Sequence, residues 1–166
     1  MKLGFIGCGN MASAIIGGIL EKEIAGREDI TASTKSEESA AKIKEKLGIA
    51  CGTDNRKTAE TSDIVFLAVK PQFLEEVIAE IKDVLCSSQL IISIAAGKTM
   101  DWLEERIGSD KKIIRTMPNT PALVGEGITG VCKNALGEER ELEDALALLF
   151  GTLMISFGII LFRQAG

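Results

Sequence analysis

Histidine is absent from all 166 residues. That excludes Ser-His-Asp and Cys-His nucleophilic machinery, together with any chemistry carried by an imidazole. The four cysteines (Cys8, Cys51, Cys86, Cys132) are scattered and form no C-x-x-C pair. With no histidine to complete a ligand set, no metal site is expected, and the cysteines read as small reduced residues packed inside. Positive charge is in deficit as well: 19 Lys and Arg stand against 24 Asp and Glu, a net charge of −5. Nucleic acid and anionic membrane are therefore not expected partners. The chain does not open with the charged n-region, apolar h-region and cleavage pattern of a signal peptide, which gives the expectation of a cytoplasmic protein. The apolar run near the carboxyl end is too short for a membrane span, and there is no internal repeat, low-complexity tract or linker.

What is present is a globular composition, 46% apolar and 26% charged with 17 glycines, on a length that suits one domain with a proper core. The most informative stretch comes early. Lys2-Leu3-Gly4-Phe5-Ile6 reads as a short buried strand, and Gly7-Cys8-Gly9-Asn10-Met11-Ala12 follows as G-x-G-x-x-A. Met11, Ala14, Ile15, Gly18 and Ile19 then recur at helical spacing. Strand, glycine turn and helix in that order form the context of a dinucleotide-binding fingerprint. Gly7 permits the tight turn, Gly9 lets the backbone approach a pyrophosphate, and Ala12 allows close helix–strand packing. The first helical turn offers unpaired N–H groups and partial positive charge to phosphates, whatever the net charge of the chain.

Strand-like and helical segments alternate beyond that point, the pattern of an α/β fold of Rossmann type: a doubly wound, mostly parallel sheet with helices on both faces. Asp29 to Ser33 is the second strand, and Thr34-Lys35-Ser36-Glu37 can cap the next helix as T-x-x-E. Ala40, Ile43 and Leu47 are that helix's buried stripe and Gly48 its stop. A short strand near Ile49 to Cys51 leads to a polar turn, Asp54-Asn55-Arg56. Ile64 to Val69 is a continuous apolar run, the mark of a strand buried on both faces, and Leu90 to Ala95 is the next buried strand. Phe73 or Leu74, Val77, Ile78 and Ile81 make the helix between them. Thr99 can cap a helix with Trp102, Leu103 and Ile107 inside, and Lys112 to Met117 is one more strand. Val124 to Val131, rich in glycine, is read as an added edge strand, and Leu142, Ala145, Leu146 and Leu149 as a last helix.

Ligands of an open parallel sheet lie outside the carboxyl ends of its strands. The candidate site is therefore Gly7 to Ala12, Ser33 to Ser36, Ala68 to Pro71, Ala95 to Gly97 and Met117 to Pro121. A reader of NAD places an acid at the end of the second strand, but Asp29 stands at its start, the wrong end. At the true end, Ser33, Thr34, Lys35 and Ser36 offer hydroxyls and a cation that suit a 2′-phosphate, so NADP is expected over NAD. Plain helix capping by Thr34 or Ser36 is compatible with that contact. Lys70 admits two readings, a stem that snorkels to solvent or a group beside a nicotinamide. Ala95, Ala96 and Gly97 either let a ring approach the backbone or serve helix packing. Asn119 and Thr120, held between Pro118 and Pro121, either point to a ligand or satisfy their own backbone. Glu126 reads as a surface acid.

Gly4-Phe5-Ile6-Gly7-Cys8-Gly9-Asn10-Met11-Ala12, Phe66-Leu67-Ala68-Val69-Lys70-Pro71, Ser93-Ile94-Ala95-Ala96-Gly97 and Arg115-Thr116-Met117-Pro118-Asn119-Thr120-Pro121 together resemble the pyrroline-5-carboxylate reductases. The resemblance runs from Met1 to about Phe150. It implies an oxidoreductase of proline biosynthesis that passes hydride from NAD(P)H to the C=N carbon of 1-pyrroline-5-carboxylate. Positioning matters more than a general base for a substrate that is already an iminium, so the lack of histidine is no objection. Residues Ile6, Gly7, Cys8, Gly9, Asn10 and Met11 would hold the pyrophosphate. Ser33, Thr34 and Lys35 would face the adenosine phosphate and Asn55 its ribose. Ala68, Val69, Lys70, Pro71, Ala95, Ala96 and Gly97 would line the nicotinamide side, with Asn119 near the junction of cofactor and substrate.

The expected organisation is a dinucleotide-binding domain over residues 1–150 and an apolar tail over 151–166. The family's helical domain, which makes its dimer and much of its substrate pocket, finds no match in that tail. The tail reads as a final strand, an appended remnant or a frameshifted end. Three functions stay open: a pyrroline-5-carboxylate reductase or its cofactor half, an NADP-binding module without a complete substrate site, and another imine or hydroxy-acid reductase of the same superfamily. A small-molecule substrate is the expected partner, and the apolar tail suggests either a homo-oligomer or burial of the tail against the sheet.

Overall fold

The computed structural model describes residues 1–118, 129–150 and 160–161, and its sheet grows from the apolar runs. Every residue is buried in strands β1 (Leu3–Ile6), β4 (Ile64–Leu67) and β5 (Leu90–Ser93). β2 (Ile30–Ser33), β3 (Ala50–Gly52), β6 (Lys112–Pro118), β7 (Thr129–Lys133) and β8 (Ile160–Leu161) complete a sheet of eight strands among the described residues, in the order β3-β2-β1-β4-β5-β6-β7-β8. Pairing is parallel from β3 across to β6, antiparallel between β6 and β7, and parallel again at β8.

Helices cover both faces because side chains alternate along each strand. One face carries Phe5, Ala32, Phe66, Ile92 and Ile114, packed under α1 (Asn10–Glu21), α2 (Glu37–Leu47) and α6 (Glu139–Phe150). The other carries Ile6, Val65, Leu67, Ile91 and Ile113, packed under α3 (Asn55–Glu60), α4 (Leu74–Ile81) and α5 (Met100–Ile107). Phe5 and Phe66 stack across β1 and β4 with centroids 4.3 Å apart. Each such fully buried large side chain contributes about 1.5–3 kcal/mol. Among the described residues, no helix is long and apolar enough to cross a membrane, and no group of acids and cysteines could hold a metal ion.

Several local expectations need correction. α2 is capped by Ser36, which accepts from the Ser39 N–H at 3.3 Å, and not by Thr34, whose hydroxyl donates to the Ser36 carbonyl at 3.1 Å. The buried face of α1 is wider than the predicted stripe: Ala12, Ser13 and Ile16 are buried while Met11 and Ala14 are half-buried. α1 packs against α2 and α6 as well as the sheet, which broadens the covered face. β4 stops at Leu67 and β5 at Ser93, short of the apolar runs. The surplus residues Val69 and Ala95 pack beside the α4–α5 layer and not within the ladder.

The polar turn at Asp54 to Arg56 is the start of a helix. Asp54 caps it by accepting from the Lys57 N–H at 2.9 Å, and Ala59 anchors it to the sheet. Thr129 to Val131 form part of β7, which is antiparallel and has β8 outside it, so it is not the edge strand expected. Residues 124–128 lie outside the described residues, as does most of the 151–166 tail.

Candidate functional site

Strand register sets the site. Ile6 pairs with both Ser33 and Leu67, Ser33 with Gly52, Leu67 with Ser93, and Ser93 with Arg115. The carboxyl ends of six parallel strands therefore stand in one row. The order reverses between β1 and β4, and chains leaving those two strands in opposite directions open a crevice there.

Gly7 lies at its base, with φ +86° and its N–H donating to the Ser33 carbonyl at 3.0 Å. A Cβ on Gly7 would meet the Val69 Cγ1 at 2.7 Å and the Val69 N at 2.8 Å. Gly9 caps α1 at φ −82°, a conformation open to any residue, and a Cβ there would meet nothing within 4 Å among the described residues. No side chain caps α1, and its first turn carries no acid. The N–H groups of that turn thus have neither a capping side chain nor an acid of their own turn to compensate them among the described residues, an arrangement that fits a pyrophosphate.

Of the neighbouring residues, Asn10 is exposed and Cys8 and Met11 are half-buried. Ile6 is fully buried, and its carbonyl accepts from the Ala68 N–H at 2.8 Å, so it offers backbone alone. Burial pushes the Cys8 thiol up to about 11, against a contact to the Ser13 hydroxyl that lowers it. At neutral pH it is a protonated thiol and not a nucleophile.

Beside the glycine turn is a cleft of about 290 Å³ that brings together Gly7, Ser33, Thr34, Lys35, Asn55 and Val69. Thr53, Phe73, Glu76, Val77 and Glu80 complete its lining. Ser33, fully buried, donates its hydroxyl to Asn55 Oδ1 at 2.7 Å, and Asn55 Nδ2 donates to Glu80 Oε2 at 2.8 Å. Arg56 locks the two helices that carry these groups. It donates to the Glu80 carbonyl at 2.7 Å and grips Asp83 through two bonds of 2.6 and 2.8 Å. That grip holds the Asp83 carboxyl below its ordinary value. Lys35 Nζ stands 5.3 Å from the centroid of the exposed Phe73 ring, so a cation and an aromatic face share the mouth of the cleft. Asp29 lies at the other end of β2, held by Lys2 Nζ at 2.9 Å, a bond that also lowers its carboxyl pKa.

Ala68, Lys70, Pro71, Ala95, Ala96 and Gly97 lie along the same carboxyl edge but outside the lining of that cleft. Lys70, Ala96 and Gly97 are exposed, and Ala95 is buried. Gly97 turns at φ +72°. Asn119 lies outside the described residues. The sequence reading missed Thr53, Phe73, Glu76 and Glu80 as cleft residues. The stripe Leu74, Val77, Ile78, Ile81 already implied that Glu76 and Glu80 share the outer face of α4. What they meet depended on α3, which had been read as a turn.

Comparison with known proteins gives a consistent picture. The family model described as NADP oxidoreductase, coenzyme F420-dependent, matches residues 2–97. The pyrroline-5-carboxylate reductase of Escherichia coli K12 is 43% identical over 145 residues, 87% of this chain and 54% of that protein. A solved pyrroline-5-carboxylate reductase from Coxiella burnetii superposes with a TM-score of 0.90 at 32% identity, covering 98% of this chain and 59% of that one. The Plasmodium falciparum pyrroline carboxylate reductase, solved with NADP bound, gives a TM-score of 0.83 at 32% identity over 99% of this chain and 58% of its own. The chain thus spans about half the length of the curated relatives it matches.

Proposed function

The chain belongs to the family of NADP oxidoreductases described as coenzyme F420-dependent, and from that premise we propose that it holds NADP(H) for the reduction of 1-pyrroline-5-carboxylate to L-proline. The observation that carries the reading is the opening of α1: an uncapped, acid-free helix start behind Gly7, with no described residue within 4 Å of where a Cβ on Gly9 would project. Those N–H groups bind the pyrophosphate. Thr34 and Lys35 face the adenosine phosphate, Asn55 the ribose, and the exposed face of Phe73 supports a flat ring. Ala68 to Pro71, Ala95 to Gly97 and Asn119 serve the nicotinamide side. When bound, the dihydronicotinamide would supply a hydride to the C=N carbon, and an iminium that already carries its proton at nitrogen needs no further one to become the secondary amine.

The identity to the Escherichia coli reductase supports this substrate over other imines. Residues 1–150 act as the dinucleotide-binding unit, and β8, within 151–166, adds to the same sheet. The protein works in the cytoplasm on a small molecule, as a homo-oligomer. A second reading, cofactor binding without turnover, needs only the same uncapped start of α1.

Calorimetric titration with NADPH and with NADH tests the first step. Saturable binding with NADPH the tighter ligand is expected. Absence of binding by either cofactor sinks the proposal. Consumption of NADPH on adding 1-pyrroline-5-carboxylate then selects the reductase reading, and binding without consumption selects the second.

A further inference from the structure

We propose that Glu80 sets the ratio of NADPH to NADH affinity: it orients Asn55 and, by its charge, weakens the hold on a 2′-phosphate. The inference rests on the cofactor reading above and goes beyond it, because the cleft is not the uniformly phosphate-seeking surface that Ser33 to Ser36 suggested. Its lining carries Lys35 as cation and two carboxylates, Glu76 and Glu80.

Glu80 also determines how the floor of the cleft is polarised. An ionised carboxylate only accepts, so Asn55 must turn Nδ2 towards it, 2.8 Å away. That orientation leaves Oδ1 facing Ser33, and the Ser33 hydroxyl must therefore donate, over 2.7 Å. Ser33 has no exposed surface and its proton is committed to Asn55, so it has none to give a phosphate. Attraction for the 2′-phosphate is left to Lys35 and Thr34, and Glu80 opposes it from the facing wall. A ribose bearing a free 2′-hydroxyl meets no such repulsion, because a hydroxyl can donate to a carboxylate or to Asn55 Oδ1.

Glu80→Gln separates the two roles. Its amide oxygen still accepts from Asn55, so the hydrogen-bond chain persists while the charge is lost. The probes are NADPH and NADH, titrated calorimetrically against wild type, Glu80→Gln and Glu75→Gln. Glu75, on α4 like Glu80, pairs with Arg106 of α5 at 3.0 Å and is not part of the cleft lining. The expected result is a shift of the affinity ratio towards NADPH by about fivefold in Glu80→Gln, the size of one unit-charge interaction over a few ångströms in water. NADH affinity should stay near wild type, and the shift should shrink at high salt as screening shortens the reach of the charge. Glu75→Gln should leave the ratio unchanged. An unaltered ratio in Glu80→Gln, with wild type binding normally, overturns this inference and leaves the proposed function standing. Equal losses for both cofactors overturn it too, since they would mark a purely structural residue. Failure of wild type to bind either cofactor removes the proposed function, and this inference falls with it.

Discussion

The two glycines of the fingerprint should fail in opposite ways when given a methyl group. At Gly7 the backbone sits at φ +86°, and a Cβ would come within 2.7 Å of Val69 Cγ1, 2.8 Å of Val69 N and 2.9 Å of Ala68 C. Forcing an L-residue into the left-handed region costs about 1–2 kcal/mol. Overpacking against backbone atoms that cannot swing aside adds about 1–3 kcal/mol. Gly7→Ala should therefore lose about 2–5 kcal/mol of stability, a large share of the roughly 5–15 kcal/mol of a typical domain. For a chain of this length that lowers Tm by about 5–15 °C. At Gly9 neither term applies: φ is −82° and a Cβ meets nothing within 4 Å among the described residues. Gly9→Ala should melt within a degree or two of wild type yet bind NADPH at least about tenfold more weakly, because its methyl fills the space left for the pyrophosphate. Thermal unfolding followed through Trp102, the chain's one tryptophan, gives the stability arm, and calorimetry gives the binding arm. A Gly7→Ala protein as stable as wild type would refute the steric argument. A Gly9→Ala protein with unchanged NADPH affinity would refute the placement of the phosphate.

Lys35→Met should weaken NADPH about tenfold and NADH much less, since a charge-assisted contact to the 2′-phosphate is lost while the cleft keeps its shape; equal losses in side-by-side titrations would contradict that role. Iodoacetamide should label the exposed Cys86 first and Cys8 slowly, because a thiol pushed up to about 11 is only about 0.1% thiolate at pH 8; peptide mapping by mass spectrometry reads the order. Asp29, Asp83 and Asp110 are held below their ordinary value by Lys2, Arg56 and Lys111. Carboxyls depressed on folding lend stability that is present above the unfolded value, about 3.9, and lost as pH falls through the folded one. Denaturant unfolding should therefore show stability dropping below about pH 4, with Asp83→Asn flattening that drop; an unchanged acid profile in the variant would refute it.

The legible parts of this fold were those in which one residue decides a local conformation or an uninterrupted run decides burial. Ile64 to Leu67 read as a central strand because a strand covered on both faces tolerates four apolar residues in succession, and Leu90 to Ile92 read likewise. Gly7 was legible because a turn that tight selects its residue. α3 was not, because its one apolar anchor, Ala59, gives no period to detect, and its start signal is a lone capping acid. That omission hid the chemistry of the cleft. Asn55 could be placed near a ribose from resemblance, yet its partners, Ser33 on β2 and Glu80 on α4, are 22 and 25 residues away in the chain and meet only because α3 lays Asn55 between them. The hydroxyl of Ser33 looked available to a phosphate when read along the chain. In three dimensions it is buried and committed, and the balance of cation against carboxylate passes to Lys35 and Glu80. Charge selectivity at this site is thus a property of pairings across three elements, which a pattern read along one strand end cannot express.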